Sequence, residues 1–147
     1  MIKSSLFSLK LNVGRPLIVL QELHNLTVLV DTGASIPVWT ADEELLKEFF
    51  HPRLVMERVA YSGFGGATEG NLYRIDFKLG DICYPDLPIV TGRGFELAPF
   101  DMIISATMLE GFVYQIDTVK KSMLIQGEDT LFQEKRIIID NRVLFNK

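Results

Sequence analysis

The sequence predicts an all-β domain, a small closed β-barrel that carries one or two short helices. Short apolar segments of strand length alternate with turn residues along most of the chain, and one segment has helical periodicity instead. No internal repeat, low-complexity tract or linker interrupts this pattern. With 147 residues, 48% of them apolar and 23% charged, we expect one globular domain over residues 1–147.

The strand predictions depend on apolar runs bounded by glycine, proline, asparagine and aspartate. Leu17–Leu23 and Leu26–Val30 flank His24-Asn25, which fits a hairpin turn, and the second run is apolar enough for a buried strand. The other predicted strands are Leu6–Val13, Leu54–Tyr61, Leu72–Leu79, Ile82–Tyr84, Leu87–Val90, Met102–Ile104, and the paired segments Phe112–Ile116 and Ser122–Gln126.

One helix is predicted over Ala41–Phe50. Thr40 serves as the expected N-cap and Glu43, three residues later, completes a capping box. Pro52 ends the helix, and its apolar face consists of Leu45, Leu46, Phe49 and Phe50. A second, shorter helical turn is expected at Thr107–Glu110.

The tail is expected to add a β-hairpin extension over about residues 128–147. Arg136–Ile139 and Val143–Phe145 are its two strands, and Asp140-Asn141-Arg142 forms the turn between them.

Charge and composition exclude several classes of function. The net charge of −4 comes without a cluster of Lys and Arg, so no nucleic-acid partner is expected. The N-terminus lacks a signal-peptide core and no apolar run is long enough to cross a bilayer, so we expect a cytoplasmic protein without a membrane partner. His24, His51 and Cys83 are scattered, so no metal or other cofactor is expected, and Cys83 is interpreted as a packed strand residue.

The most informative segment is Val28–Ser35, in which an apolar strand leads directly to Asp31. Gly33 lets the backbone turn tightly and approach a bound molecule, while Thr32 supplies a hydroxyl group. A carboxylate at the end of a buried strand is costly unless it has hydrogen-bond partners or shares a proton. An isolated Asp-Thr-Gly is more often an ordinary turn, and its context decides between the two interpretations.

That context resembles the retropepsin-like aspartic peptidases. Arg15–Val19, a hairpin and Val28–Ala34 look like the N-terminal portion of a retroviral protease. Ser62–Gly66 resembles the flap of that family, and Phe100–Ser105 followed by Ala106–Leu109 is similar to its apolar pair before a short helix. The three elements occur in family order and cover about residues 15–111.

The chain also departs from the retroviral pattern. Ser105 stands where the family usually has glycine, and Ala106 stands where retroviral enzymes have arginine. Ser35-Ile36 replaces an acidic pair, so the intrachain ion pair of the retroviral enzymes is absent. The helix at Ala41–Phe50 and the tail after Gly111 have no close retroviral counterpart, and the tail is more similar to that of bacterial and eukaryotic relatives.

The resemblance implies an aspartic endopeptidase that needs no cofactor. Peptide hydrolysis by this route requires two carboxylates that share one proton, and this chain has a single Asp-Thr-Gly. The partner implied is therefore a second copy of the chain, which supplies a second Asp31 across a two-fold axis. Thr32 would hydrogen-bond across that axis, Gly33 would contact substrate through its backbone, and Ala34 would lie in the substrate site.

The resemblance also implies a flap over an extended peptide or protein substrate. Gly63, Phe64, Gly65 and Gly66 are its candidate substrate-binding residues, since glycines permit positive φ and Phe64 offers an apolar contact. Tyr61 is expected to pack rather than to orient the site. Thr91–Phe100 is either a pocket-lining loop or a plain surface connection.

The competing interpretation is a retropepsin fold that serves as a catalytically silent peptide-binding or dimerisation module, because fold does not settle function. The complete Asp-Thr-Gly favours catalysis, while Ser105 weighs slightly against it.

Overall fold

The computed structural model describes residues 1–31, 33–63, 66–92, 98–139 and 144–146, and these are mostly β-structure. The strands are β1 Ile2–Asn12, β2 Arg15–Leu20, β3 Leu26–Val30, β4 Val38–Trp39, β5 Arg53–Gly63, β6 Gly66–Leu79, β7 Ile82–Thr91, β8 Met102–Ile104, β9 Val113–Asp117, β10 Ser122–Glu128 and β11 Leu144–Asn146. The helices are α1 Glu43–Phe50, α2 Ala106–Leu109 and α3 Asp129–Gln133, with a 3-10 turn at Gln21–Leu23.

The strands form one mostly antiparallel sheet in the order β11-β5-β6-β7-β4-β8-β3-β2-β1-β10-β9. The predicted hairpins are confirmed: β2 pairs with β3, and β9 pairs with β10. Residues 82–84 and 87–90 belong to one strand, β7, which continues past Asp86 at a positive φ of 53°. The pairings of the described residues leave the sheet open, so the closed barrel is not confirmed.

Helix α1 begins two residues later than the sequence suggested, and its cap is different. Asp42 is the N-cap, and its side chain accepts a hydrogen bond from the backbone N–H of Glu44. The predicted Thr40 cap and its capping box are therefore wrong, because the Thr40 hydroxyl donates to the carbonyl of Phe100 across the fold. Trp39 is fully buried beside the helix start, and its indole N–H donates to the Asp42 carbonyl.

The C-terminal segment does not form the predicted hairpin in the part of it that the structure describes. Helix α3 occupies residues 129–133, where the ring of Phe132 packs edge-on against that of Phe112. Residues 134–139 are not a strand, and β11 pairs with β5 instead. Strand β11 pairs with the edge of β5, whose backbone groups offer it a ladder of hydrogen-bond partners.

Two apolar clusters lie on opposite sides of the central strands. The larger one contains Val28, Val30, Trp39 and Phe132 among many others. The smaller one, called here the second cluster, consists of Leu17, Leu29, Ile36, Val38, Val59, Tyr61, Leu72, Val90, Phe100 and Ile103. Because strand residues alternate between faces, Leu29 lies on the face opposite Val28 and Val30. Among the described residues, no helix is long and apolar enough to cross a membrane.

Candidate active site

Asp31 follows β3 at the centre of the sheet. All but one of the residues of β3 are buried, and the strand lies between β2 on one side and β8 on the other. Strand β8 is parallel to β3, with Val30 opposite Ile104. The backbone N–H of Asp31 donates to the carbonyl of Ile104 at 3.3 Å, so this pairing continues one residue beyond the strand. The sheet thus fixes the backbone position at which the carboxylate emerges.

The loop after Asp31 turns back on its own carboxylate. The backbone N–H of Gly33 donates to Asp31 Oδ1 at 2.9 Å, and the N–H of Ala34 donates to the Asp31 carbonyl at 3.1 Å. A Cβ atom at Gly33 would lie only 3.3 Å from Asp31 Oδ1, so this position favours glycine. Within the described part of the chain, Oδ2 of Asp31 has no hydrogen-bond donor, which leaves one carboxylate oxygen available. Thr32 lies outside the described residues.

The same loop passes over the end of β8. Strand β8 pairs in parallel with β3 before the loop and antiparallel with β4 after it, so it lies between the two strands that the loop connects. The carbonyl of Ala34 accepts a hydrogen bond from the N–H of Ala106, the first residue of α2. Backbone hydrogen bonds therefore attach the loop to the end of β8 at Asp31 and to the start of α2 at Ala34.

Asp101 secures the opposite end of this three-strand unit, a role that the sequence did not suggest. Its carboxylate accepts a hydrogen bond from the N–H of Thr27 at 2.9 Å, and its own N–H donates to the Thr27 carbonyl. The Asp101 carbonyl accepts from the N–H groups of Thr40 and Ala41. Its position just before an apolar run was the only signal in the sequence, and that signal does not reveal partners distant in the chain.

The second cluster connects the Asp31 loop to the β5–β6 hairpin. Ala34 packs against this cluster from the loop, and Ile36 belongs to it. Val59, Tyr61 and Leu72 belong to it from the stem of the hairpin. The loop that carries Asp31 and the stem of the candidate flap therefore share one apolar support.

The end of the β5–β6 hairpin contains two of the four residues predicted to form a flap. Gly63 and Gly66 form the last pair of the β5–β6 ladder, so these two candidate residues face each other at its end. Phe64 and Gly65, the other two candidates, lie outside the described residues.

A network of hydrogen bonds holds the hairpin stem on β7. The hydroxyl of Tyr61 donates to the carbonyl of Thr91 at 3.1 Å, and the N–H of Asn71 donates to the Thr91 hydroxyl at 2.9 Å. Burial raises the pKa of Tyr61 to about 12, so this hydroxyl remains a donor at neutral pH. Tyr61 therefore packs in the core as expected, and its hydroxyl also forms a hydrogen bond with the Thr91 carbonyl. A Cβ atom at Gly70 would lie 1.7 Å from the Thr91 carbonyl oxygen. Glycine is therefore needed here because the backbones of β6 and β7 approach closely, and not because of a positive φ.

Residues at both ends of the loop Thr91–Phe100 line a pocket of about 460 Å³ beside the start of α1. Gly92, Ala98 and Phe100 contribute from the loop, and Asp42 and Glu43 contribute from the helix end. Residues 93–97 lie outside the described part. In the described residues, no three His, Cys, Asp or Glu side chains lie close enough together to hold a metal ion.

The loop that carries Asp31 crosses the end of a central strand and shares an apolar cluster with the stem of the β5–β6 hairpin. The fold in which this arrangement occurs is similar to that of a retropepsin-like aspartic protease. The crystal structure of a retropepsin-like aspartic protease from Rickettsia conorii matches with a TM-score of 0.56 and 18% sequence identity. The match covers 86% of this chain and 92% of that one, so it extends over most of both chains. At this identity the likeness establishes the fold alone. No protein-family model and no curated protein matches the chain.

Proposed function

We propose that this chain is one half of a homodimeric aspartic endopeptidase in which each subunit contributes Asp31. The observation that carries the proposal is the way in which hydrogen bonds hold the Asp31 carboxylate and its backbone in place. One of its oxygens is oriented by the N–H of Gly33, and its backbone is attached to Ile104. A side chain fixed in this way is prepared for chemistry, because little reorientation is needed when a substrate binds.

A second Asp31 is required because the reaction needs one carboxylate that is charged and one that is protonated. Two carboxylates about 3 Å apart cannot both ionise, so they share a single proton. The charged group removes a proton from a water molecule while the water oxygen bonds to the scissile carbonyl carbon. The protonated group gives its proton to the carbonyl oxygen, which yields a neutral tetrahedral diol.

The second half of the reaction returns the protons. The carboxylate that received the water proton gives it to the amide nitrogen, and the carbon–nitrogen bond breaks. One hydroxyl of the diol loses its proton to the other carboxylate as the carbonyl forms again. The products are a carboxylic acid and an amine, and the pair regains its single shared proton.

The β5–β6 hairpin supports the choice of an extended peptide as substrate. Its backbone pairs as far as Gly63 and Gly66, two residues without side chains, at the end of the β5–β6 ladder. A hairpin of this kind can present backbone donors to a peptide and exclude water when it closes. The second cluster places the stem of this hairpin against the loop of Asp31.

The proposal is tested by cleavage of a peptide library between acidic and neutral pH, with and without pepstatin. We expect cleavage by the wild-type protein, loss of all activity in Asp31→Asn, and no loss in the control Asp81→Asn, an exposed turn aspartate. We expect the melting temperature of Asp31→Asn to change little, because the substitution removes a charge that is costly to bury.

Two results would overturn the proposal. Cleavage that persists in Asp31→Asn would assign the chemistry to other residues. A wild-type dimer that binds peptides but cleaves none at any pH would identify the silent binding module. The substitution of glycine by Ser105 does not by itself favour that module, because the buried Ser105 hydroxyl is hydrogen-bonded to that of Thr107 at 2.8 Å.

A further inference from the structure

Strand β5 contains a bulge whose N–H group is bonded to the side chain of Asn71. At this point β5 has two residues, Glu57 and Arg58, where β6 has only Asn71. Arg58 has a positive φ of 57°, and its N–H donates to Asn71 Oδ1 at 3.2 Å. A bulge bends its strand, so the geometry of this one sets the direction in which the hairpin continues towards its glycine end.

The amide group of Asn71 also reaches helix α1. Its Nδ2 donates to the Glu43 carboxylate, at 3.2 Å from Oε2 and 3.5 Å from Oε1. The hydroxyl of Tyr73, two residues along β6, donates to Oε2 of the same carboxylate. Burial and the neighbouring Glu43 carboxylate raise the pKa of Tyr73, so its hydroxyl remains a donor. The half-buried carboxylate of Glu43 is therefore held by two side chains of one hairpin strand.

Glu43 is the first residue of α1, and this end of the helix is attached to the central strands. The indole of Trp39, on β4, donates to the carbonyl of Asp42. The Asp101 carbonyl, just before β8, accepts from the N–H of Thr40. These bonds fix Glu43 to the three-strand unit of the candidate active site, and Asn71 joins the hairpin to it.

The bulge lies where the hairpin leaves the sheet. The β6–β7 ladder ends at the pair of Leu72 and Val90, next to Asn71. Beyond this pair, the hydrogen bonds from the hairpin to β7 in the described residues go to Thr91. The contact with Glu43 is a separate point of attachment, and two separate points fix the angle of a hairpin more firmly than one.

A second bulge beside β6 shows what is particular to Asn71. Asp76 of β6 faces two residues of β7, and its Oδ1 accepts the N–H of Asp86, which has a positive φ of 53°. Within the described residues, Asp76 has no hydrogen bond to a helix. An aspartate is therefore sufficient to hold such a bulge, and the asparagine at position 71 adds the N–H donor that reaches Glu43.

We propose that Asn71 is a positioning residue for the peptidase reaction and that, through Glu43, it fixes the direction of the β5–β6 hairpin relative to Asp31. This inference rests on the proposed function, in which the hairpin holds an extended peptide. Arg58 lies roughly 17 Å along the strand from Gly63, at about 3.3 Å per residue. A rotation of about 10° at the bulge therefore displaces the end of the hairpin by roughly 3 Å, the length of a hydrogen bond.

Steady-state kinetics of two matched bulge variants test the inference. Asn71→Ala removes the bond to Glu43 and the acceptor of the Arg58 N–H, whereas the control Asp76→Ala removes only the equivalent acceptor at the second bulge. We expect KM for a peptide substrate to rise about tenfold in Asn71→Ala, as for the loss of a hydrogen bond to a charged group, with kcat within about twofold of the wild type. Asp76→Ala should keep the wild-type KM at a similar loss of melting temperature.

An exchange of the two functional groups separates positioning from a general loss of stability. Asn71→Asp keeps an acceptor for the Arg58 N–H but places a second carboxylate against Glu43, so KM should rise as in Asn71→Ala. Adding Glu43→Gln to Asn71→Asp supplies an amide donor to the new carboxylate, and we expect KM to return to within about threefold of the wild-type value. The rates are measured at the highest pH at which the wild-type protein cleaves, because protonation of either carboxylate would remove the repulsion.

The outcomes distinguish this inference from the proposed function. The inference alone would fail if Asn71→Ala and Asp76→Ala had the same KM, or if adding Glu43→Gln gave no recovery in Asn71→Asp. Should Asn71→Ala not fold, the exchange of functional groups decides. A wild-type protein that cleaves no peptide would overturn the proposed function and this inference with it.

Discussion

At the scale of single residues, several positions are determined by a close contact that no local pattern reveals. Gly70 is such a case, since the Thr91 carbonyl occupies the space that a side chain would need. Gly33 is a milder one, in which the neighbour is the carboxylate of Asp31. Both glycines therefore serve the candidate site, one by holding the hairpin stem on β7 and the other by leaving room for the carboxylate of Asp31.

Gly70→Ala is expected to lower the free energy of unfolding by about 3 kcal/mol, because an added methyl group meets the backbone of β7 and not a movable side chain. Gly14→Ala is the matched control. A Cβ atom there meets nothing within 4 Å, and the only cost is the positive φ of 78°, about 1 kcal/mol. Denaturant unfolding of both variants checks this, and equal losses would show that the contact with Thr91 is unimportant.

At the scale of elements, α1 illustrates how a tertiary contact selects a cap. Thr40 and Asp42 can both cap a helix, but the Thr40 hydroxyl is used by the Phe100 carbonyl. Asp42 remains, and its carboxylate bonds to the N–H of Glu44. Only Leu46 of the helix is fully buried, so α1 depends more than a core helix would on its cap.

Asp42→Ala is expected to destabilise the protein by about 1 kcal/mol, because the N-terminal N–H groups of α1 lose their acceptor. Asp42→Ser should recover most of this loss, since serine is also a good cap. Thermal and denaturant unfolding of the two variants gives the comparison. If alanine and serine had the same effect, the side chain of Asp42 would not be the stabilising cap.

At the scale of the whole molecule, a catalytic site shared between two chains has a distinctive signature in mixtures. If each site needs two Asp31 residues, an inactive chain inactivates every wild-type chain with which it pairs. If each chain were active alone, added inactive chains would have no effect.

Adding an equal amount of Asp31→Asn to the wild-type protein is therefore expected to reduce total cleavage to about half after subunit exchange, since only a quarter of the dimers remain fully wild-type. Adding the control Asp81→Asn should instead raise total cleavage. The measurement is the initial rate at constant wild-type concentration. An unchanged rate on addition of Asp31→Asn, with exchange demonstrated by mixed dimers, would contradict a shared site.

Much of the fold could be predicted from local patterns. The hairpin at His24-Asn25, the short strand Met102–Ile104, and the β9–β10 pair follow from apolar runs and turn residues that are close in the chain. The third helix could not, because the segment Asp129–Gln133 is helical where its surroundings suggested a hairpin. The course of the tail was likewise hidden, because β11 pairs with a strand more than 80 residues earlier.

The candidate site likewise has features that the sequence predicts and features that only the tertiary structure decides. The sequence by itself determined that an acidic residue ends a buried strand and enters a glycine turn, because strand, carboxylate and glycine are contiguous and their chemistry is local. Only the tertiary structure decided that β8 lies between β3 and β4, that Asp101 anchors this unit, and that the second cluster joins the Asp31 loop to the hairpin. These contacts join residues far apart in the chain, and many partners satisfy the same local pattern until the whole chain packs and selects one set.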